Sequence, residues 1–126
     1  SLVTLKIKDP AASIAFYENQ LGLRLLSRQE VTVRGFTLYF LSADSETPST
    51  SNIDDIPLRE WLWQRPYTLL ELQHVLGTEL SLEFKYLTNS STGLRSIRFK
   101  GSNPGQVQNA GVKLFDPDGY LIEIDS

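Results

Sequence analysis

The sequence predicts an α+β fold, mostly antiparallel sheet with few helices. Three observations predict it. Val3, Leu5 and Ile7 alternate with their neighbours at the two-residue period of a half-buried strand, and residues 36–41 form the clearest strand in the chain. One helical stripe lies between them, bracketed by a start and a stop signal. A turn tetrapeptide, Asp116-Pro117-Asp118-Gly119, precedes a last apolar run.

The first strand is expected over residues 2–7. Asp9 is a good N-cap and Pro10 suits the first helical position, so a helix starts there. Ile14, Phe16, Tyr17 and Leu21 form its apolar stripe, and Gly22 ends it. A second strand begins at Leu23–Leu26. In the third, Phe36, Leu38 and Phe40 share one face while Thr37, Tyr39 and Leu41 share the other. Residues 43–57 are a Ser/Thr/Asp-rich stretch, read as a mobile flap or an insertion. Residues 58–64 suit a short helix holding Trp61. Strands are expected at 69–73, 93–99 and 120–124, the last after the turn, in which Pro sets φ and Gly tolerates a positive one.

Composition excludes several function classes. A chain of 126 residues suits one compact unit. The net charge of -3 argues against a nucleic-acid footprint. No apolar run approaches the ~18 residues of a membrane span, and no signal-peptide pattern is visible. A cytoplasmic location, or an organellar lumen of reducing character, is therefore expected. Zero Cys removes disulfides, thiolate metal sites and a Cys nucleophile. A single histidine, His74, removes any site needing two in one chain. Strand alternation turns His74 away from Glu71, toward a surface or loop position.

Several blocks together resemble glyoxalase I (lactoylglutathione lyase) of the vicinal oxygen chelate superfamily. They are Lys8-Asp9-Pro10 with Ser13-Ile14-Ala15-Phe16-Tyr17, Leu21-Gly22-Leu23, residues 36–41, Leu70-Glu71-Leu72-Gln73-His74 with Gly77-Thr78-Glu79, and residues 116–124. Each is short, but five in the family's order cover most of the chain. The resemblance implies two paired βαβββ modules forming a cupped mixed sheet around a cavity. It divides a single domain, 1–126, into a first module over 1–80 with the inserted loop 43–57, and a second over 81–126. It also implies a homodimer and a divalent ion that polarises a glutathione hemithioacetal while a ligating glutamate moves a proton between carbons.

Carried over residue by residue, that pattern makes Glu71 and Glu123 metal ligands and Glu123 the catalytic base. Taken alone, a Glu in an apolar strand is an exposed residue on the polar face; the resemblance turns both toward a cavity. The other two ligand positions fall on Leu2 and Leu94, which have no lone pair to offer. Two carboxylates suit Mg²⁺ or Mn²⁺ better than Zn²⁺; Ni²⁺ is the family's further option. The thiol-cofactor anchors depart too: Lys6 stands for an Arg and loses its bidentate fork, Val75 stands for an Asn, and Ser90 for an Arg. Candidate ligand contacts are Lys6, Phe36, Leu38, Phe40, Gln73 and Arg98; core is the ordinary alternative for the aromatic stripe and solvated charge for Arg95.

The second module looks short. Between Phe99 and Val112 there is no room for both an average helix of ~11–12 residues and a strand of ~5–6, and residues 101–105 are poor helix material. The expectation is a glyoxalase I-like small-molecule domain with a degenerate metal site and little classical methylglyoxal–glutathione isomerase activity. The alternatives are a non-catalytic binding or sequestering domain, and an active glyoxalase I if the complete protein has further residues in that gap. The expected partners are a small-molecule ligand and a second copy of the chain, with no nucleic acid and no membrane.

Overall fold

Local signals set the first module's elements where alternation and capping place them. A computed structural model describes residues 2–44, 46–48, 50–81, 96–100 and 113–125. Strand β1 spans Leu2–Ile7 and helix α1 Pro10–Leu21. Asp9 caps that helix by accepting from the Ala12 N–H, and Gly22 closes it at φ 71°, a left-handed conformation that costs glycine little. Strands β2 (Arg24–Val31) and β3 (Phe36–Ser42) form a hairpin, helix α2 covers Pro57–Trp63, and β4 covers Leu69–Val75. These four strands make one mixed sheet in the order β1-β4-β3-β2, with β1 and β4 parallel.

A second sheet holds β5 (Ile97–Lys100), β6 (Lys113–Phe115) and β7 (Leu121–Asp125) in the order β5-β7-β6. Here β5 is parallel to β7 and β6 antiparallel to it. The two sheets thus repeat one topology: β5, β6 and β7 correspond to β1, β3 and β4. The fold is the expected α+β one, with two sheets and two helices among the described residues. The strand expected at 93–99 is described only from Ile97, and the short gap between Phe99 and Val112 lies almost wholly outside the described residues. Strand β6 was not anticipated; three residues are too few to show a period.

One apolar core joins both sheets and α1. Leu5, Ile7, Leu70 and Leu72 from the first sheet meet Ile122 and Ile124 from the second, with Tyr17 and Leu21 between. Burial of this kind is worth roughly 1.5–3 kcal/mol for each large aliphatic side chain. On the other face of the first sheet, Leu62 of α2 packs with Leu26, Phe40 and Leu69. Successive residues of β2 point to opposite faces, so Leu25 packs against the first cluster and Leu26 lies in the second, next to a bulge between Leu25 and Ser27.

The loop expected as a mobile flap is tied down along its described residues. Arg28 receives the loop twice: its N–H donates to the Ile53 carbonyl at 2.8 Å and its guanidinium grips Asp54 in a bidentate pair. That hydrogen bond holds the Asp54 carboxyl below the usual range. Arg24 donates to the Asp44 and Glu46 carbonyls, and Arg65 and Tyr67 both bind the Glu46 carboxylate.

The Asp116–Gly119 turn forms as expected, with Gly119 at φ 92°, and it also docks onto the first module. Buried Asp116 accepts from the Tyr17 hydroxyl at 2.6 Å and from the Asp118 and Tyr120 N–H groups at 2.9 Å. Asp118 accepts from the Lys8 N–H, and the Tyr120 hydroxyl donates to the Lys6 carbonyl. Burial raises the Asp116 and Asp118 carboxyls above their ordinary range, although these hydrogen bonds pull them down. Burial beside Asp116 likewise pushes the Tyr17 phenol up.

Candidate functional site

Alternation along the central strands decides which side chains leave the core. In β4, Leu70, Leu72 and His74 are buried on the core side, which sets Glu71 and Gln73 on the opposite face. In β7, Ile122 and Ile124 are buried, which sets Glu123 opposite. Both carboxylates therefore stand on an interior strand of their own sheet, turned away from the shared core.

Strand register gives each one its neighbours. Glu71 lies opposite Thr4 of β1 and Phe40 of β3, and the Thr4 hydroxyl donates to its Oε2 at 2.6 Å. Glu123 lies opposite Arg98 of β5 and Lys113 of β6. Arg98 Nε is 2.8 Å from Oε2, and Lys113 Nζ is 3.9 Å from Oε1. Among the described residues, no three His, Cys, Asp or Glu side chains gather as a metal cluster would require.

A small cavity of about 100 Å³ opens on the Glu71 face, lined by Leu2, Leu38, Phe40, Leu62 and Trp63 among others. Four residues expected at a site, Leu2, Leu38, Phe40 and Glu71, thus come together. Gln73 pairs with Lys6 on one side and Leu38 on the other, so it extends the same face. Lys6 is exposed and Phe36 sits further along, opposite Val75. Volumes of ~300–1,000 Å³ are usual for drug-sized ligands, so this hollow is small for a complete site of that kind.

This arrangement, a four-stranded β1-β4-β3-β2 sheet repeated in part by β5-β7-β6, matches a known family along almost the whole chain. The family model for the Glyoxalase/Bleomycin resistance protein/Dioxygenase superfamily matches residues 2–124. The chain belongs to that superfamily. Among its relatives, lactoylglutathione lyase of Pseudomonas putida is 35% identical over 143 residues, covering 95% of this chain and 80% of the relative. Glyoxalase I of Saccharomyces cerevisiae is 30% identical over 95% of the chain, which spans only 42% of that protein. The solved glyoxalase I of Leishmania major superposes with a TM-score of 0.64 at 19% identity, covering 99% of this chain and 84% of that one. At that identity the superposition speaks for the glyoxalase fold alone.

Within this glyoxalase fold, several positions escaped sequence reasoning. Thr4 touches Glu71 and Lys113 faces Glu123, but pairing register across strands distant in sequence is not written in either strand. Trp63 reaches the cavity from α2, whose docking no local pattern fixes. Leu94, Arg95 and Ser90 lie outside the described residues. By register, the residue of the second module that corresponds to Leu2 is Ser96, two before the one opposite the glutamate in each case.

His74 needs a correction. It is not at the surface but only 5% exposed, with Nε2 2.7 Å from Glu79 Oε2. Partial burial pushes the Glu79 carboxyl up, but hydrogen bonds from His74 and from backbone N–H groups outweigh it and leave it below its ordinary value. The expectation that it faces away from Glu71 stands, because β4 buries it with Leu70 and Leu72.

Proposed function

We propose that this chain is a glyoxalase I-like small-molecule domain with a depleted metal site and little methylglyoxal–glutathione isomerase activity. The observation that carries the reading is the wall around Glu71: Leu2, Leu38 and Phe40 are apolar, so a divalent ion there would find one carboxylate, with only the Gln29 amide and the Thr4 hydroxyl as further oxygen donors. Among the described residues no three carboxylate or imidazole groups gather as a four-ligand ion would need. One carboxylate already accepts from Thr4 and the other is paired with two cations. A site short of ligands loses the charge that would stabilise a developing enediolate, and electrostatic stabilisation of that kind is commonly the largest catalytic term.

In this reading the ligand lies on the open face above Leu38, Phe40 and Gln73 with Lys6 at its edge, and Glu123 is the residual candidate for a base. Domain limits at 1–80 and 81–126 and a homodimer that closes the face belong to the same proposal. A second reading, an active glyoxalase I, is favoured by the 35% identity to the Pseudomonas putida lactoylglutathione lyase. The two separate in one assay. With the hemithioacetal of methylglyoxal and glutathione, and excess Mg²⁺, Mn²⁺, Ni²⁺ or Zn²⁺, we expect turnover at least ~10²-fold below an active relative. Robust turnover that disappears in Glu123→Gln establishes the second reading instead.

A further inference from the structure

The two glutamates occupy equivalent places and have opposite surroundings. Glu71 is flanked across the sheet by a neutral hydroxyl and an aromatic ring, Glu123 by a guanidinium and an ammonium. We propose that Arg98 and Lys113 form a built-in cation clamp that takes the place of a divalent ion at Glu123. The inference rests on the depleted-site reading above and adds its cause in the second module.

The geometry engages both carboxylate oxygens. Arg98 approaches Oε2 and Lys113 approaches Oε1, from the two strands that flank β7. The Glu123 side chain is 16% exposed whereas Arg98 and Lys113 are 69% and 71% exposed. The acid is thus largely covered while both of its cations are open to solvent. An ion bound to either oxygen at ~2.0–2.2 Å would sit close to both positive groups. At separations of about 5 Å, Coulomb repulsion between a dication and one such cation weakens binding by roughly tenfold even at the dielectric constant of water. The site therefore carries its own positive charge, held by the fold at every metal concentration.

The clamp predicts that metal affinity is gained by removing side chains that are not metal ligands. The experiment is a Mn²⁺ titration at low ionic strength, read by the electron paramagnetic resonance signal of free Mn²⁺, on the wild-type chain, Arg98→Gln, Lys113→Gln and the double variant. Circular dichroism checks the fold of each. We expect weak binding by wild type, at least tenfold tighter binding by the double variant, and wild-type behaviour from Arg98→Lys, which keeps the charge. Adding Glu123→Gln to the double variant should cancel the gain. A folded double variant with unchanged Mn²⁺ affinity, or a gain that survives Glu123→Gln, overturns the clamp and leaves the depleted-site reading standing. Stoichiometric, tight binding by wild type that Glu123→Gln abolishes overturns both. Should the double variant fail to fold, the singles decide, each expected to gain part of the effect.

Discussion

The first and second modules run the same strand plan with different resources. The first has four strands, a covering helix on each face and a capped helix start. The second shows three short strands among the described residues, and β7 enters the core through Ile122 and Ile124, packed with residues of the first module. Those described strands rest on packing from elsewhere. They obtain that packing from the shared core and from the Asp116–Gly119 turn, which binds Tyr17, Lys8 and Ser13. The difference teaches that a turn can serve as the joint between two repeats.

The comparison breaks most directly at that joint. Asp116→Ala removes the acceptor of the Tyr17 hydroxyl and of two backbone N–H groups in a buried place, which should cost about 2–4 kcal/mol in urea denaturation. A cost below 1 kcal/mol would show that the modules hold together without the turn. Tyr17→Phe leaves Asp116 its backbone donors and should cost about 1–2 kcal/mol by the same measurement.

Acid sharpens the same contrast. Because burial raises the Asp116 and Asp118 carboxyls, the folded chain binds more protons than the unfolded one between the ordinary value of about 4 and the raised one. Their contribution is thus present at low pH and is lost as pH rises through the folded value. Glu79, held low, behaves oppositely: its contribution is present above the unfolded value and is lost as pH falls through the folded one. Stability of wild type relative to Asp116→Asn should therefore fall as pH climbs through that window, and relative to Glu79→Gln it should rise at lower pH, between the lowered Glu79 value and the ordinary one. Parallel curves for all three would refute both assignments.

The smallest effects belong to the glutamates' own partners. Thr4→Val and Arg98→Ala should each change stability by less than about 1 kcal/mol, because exposed hydrogen bonds and ion pairs contribute little. The two modules would then differ at these positions in ligand preference and not in folding. A loss above 2 kcal/mol in Arg98→Ala would make that ion pair structural.

Relatives add a measure of the asymmetry. The Pseudomonas putida match runs over 143 residues, more than the 126 of this chain, so the relative carries residues here without a counterpart.

Sequence by itself determined the elements whose causes are local. The Asp9 cap, Pro10, the Gly22 stop, the alternation that separates Glu71 from Leu70 and Leu72, and the Asp-Pro-Asp-Gly turn each follow from dihedral limits or a two-residue period. Tertiary structure decided everything that depends on which strands lie side by side. Parallel pairing of β1 with β4 put Thr4 on Glu71, parallel pairing of β5 with β7 put Arg98 on Glu123, and antiparallel β6 added Lys113. It also buried His74 against Glu79 and carried Asp116 to Tyr17, 99 residues away. Such contacts are fixed by register and docking of elements distant in sequence, and their energies exist only once the core has brought those elements together.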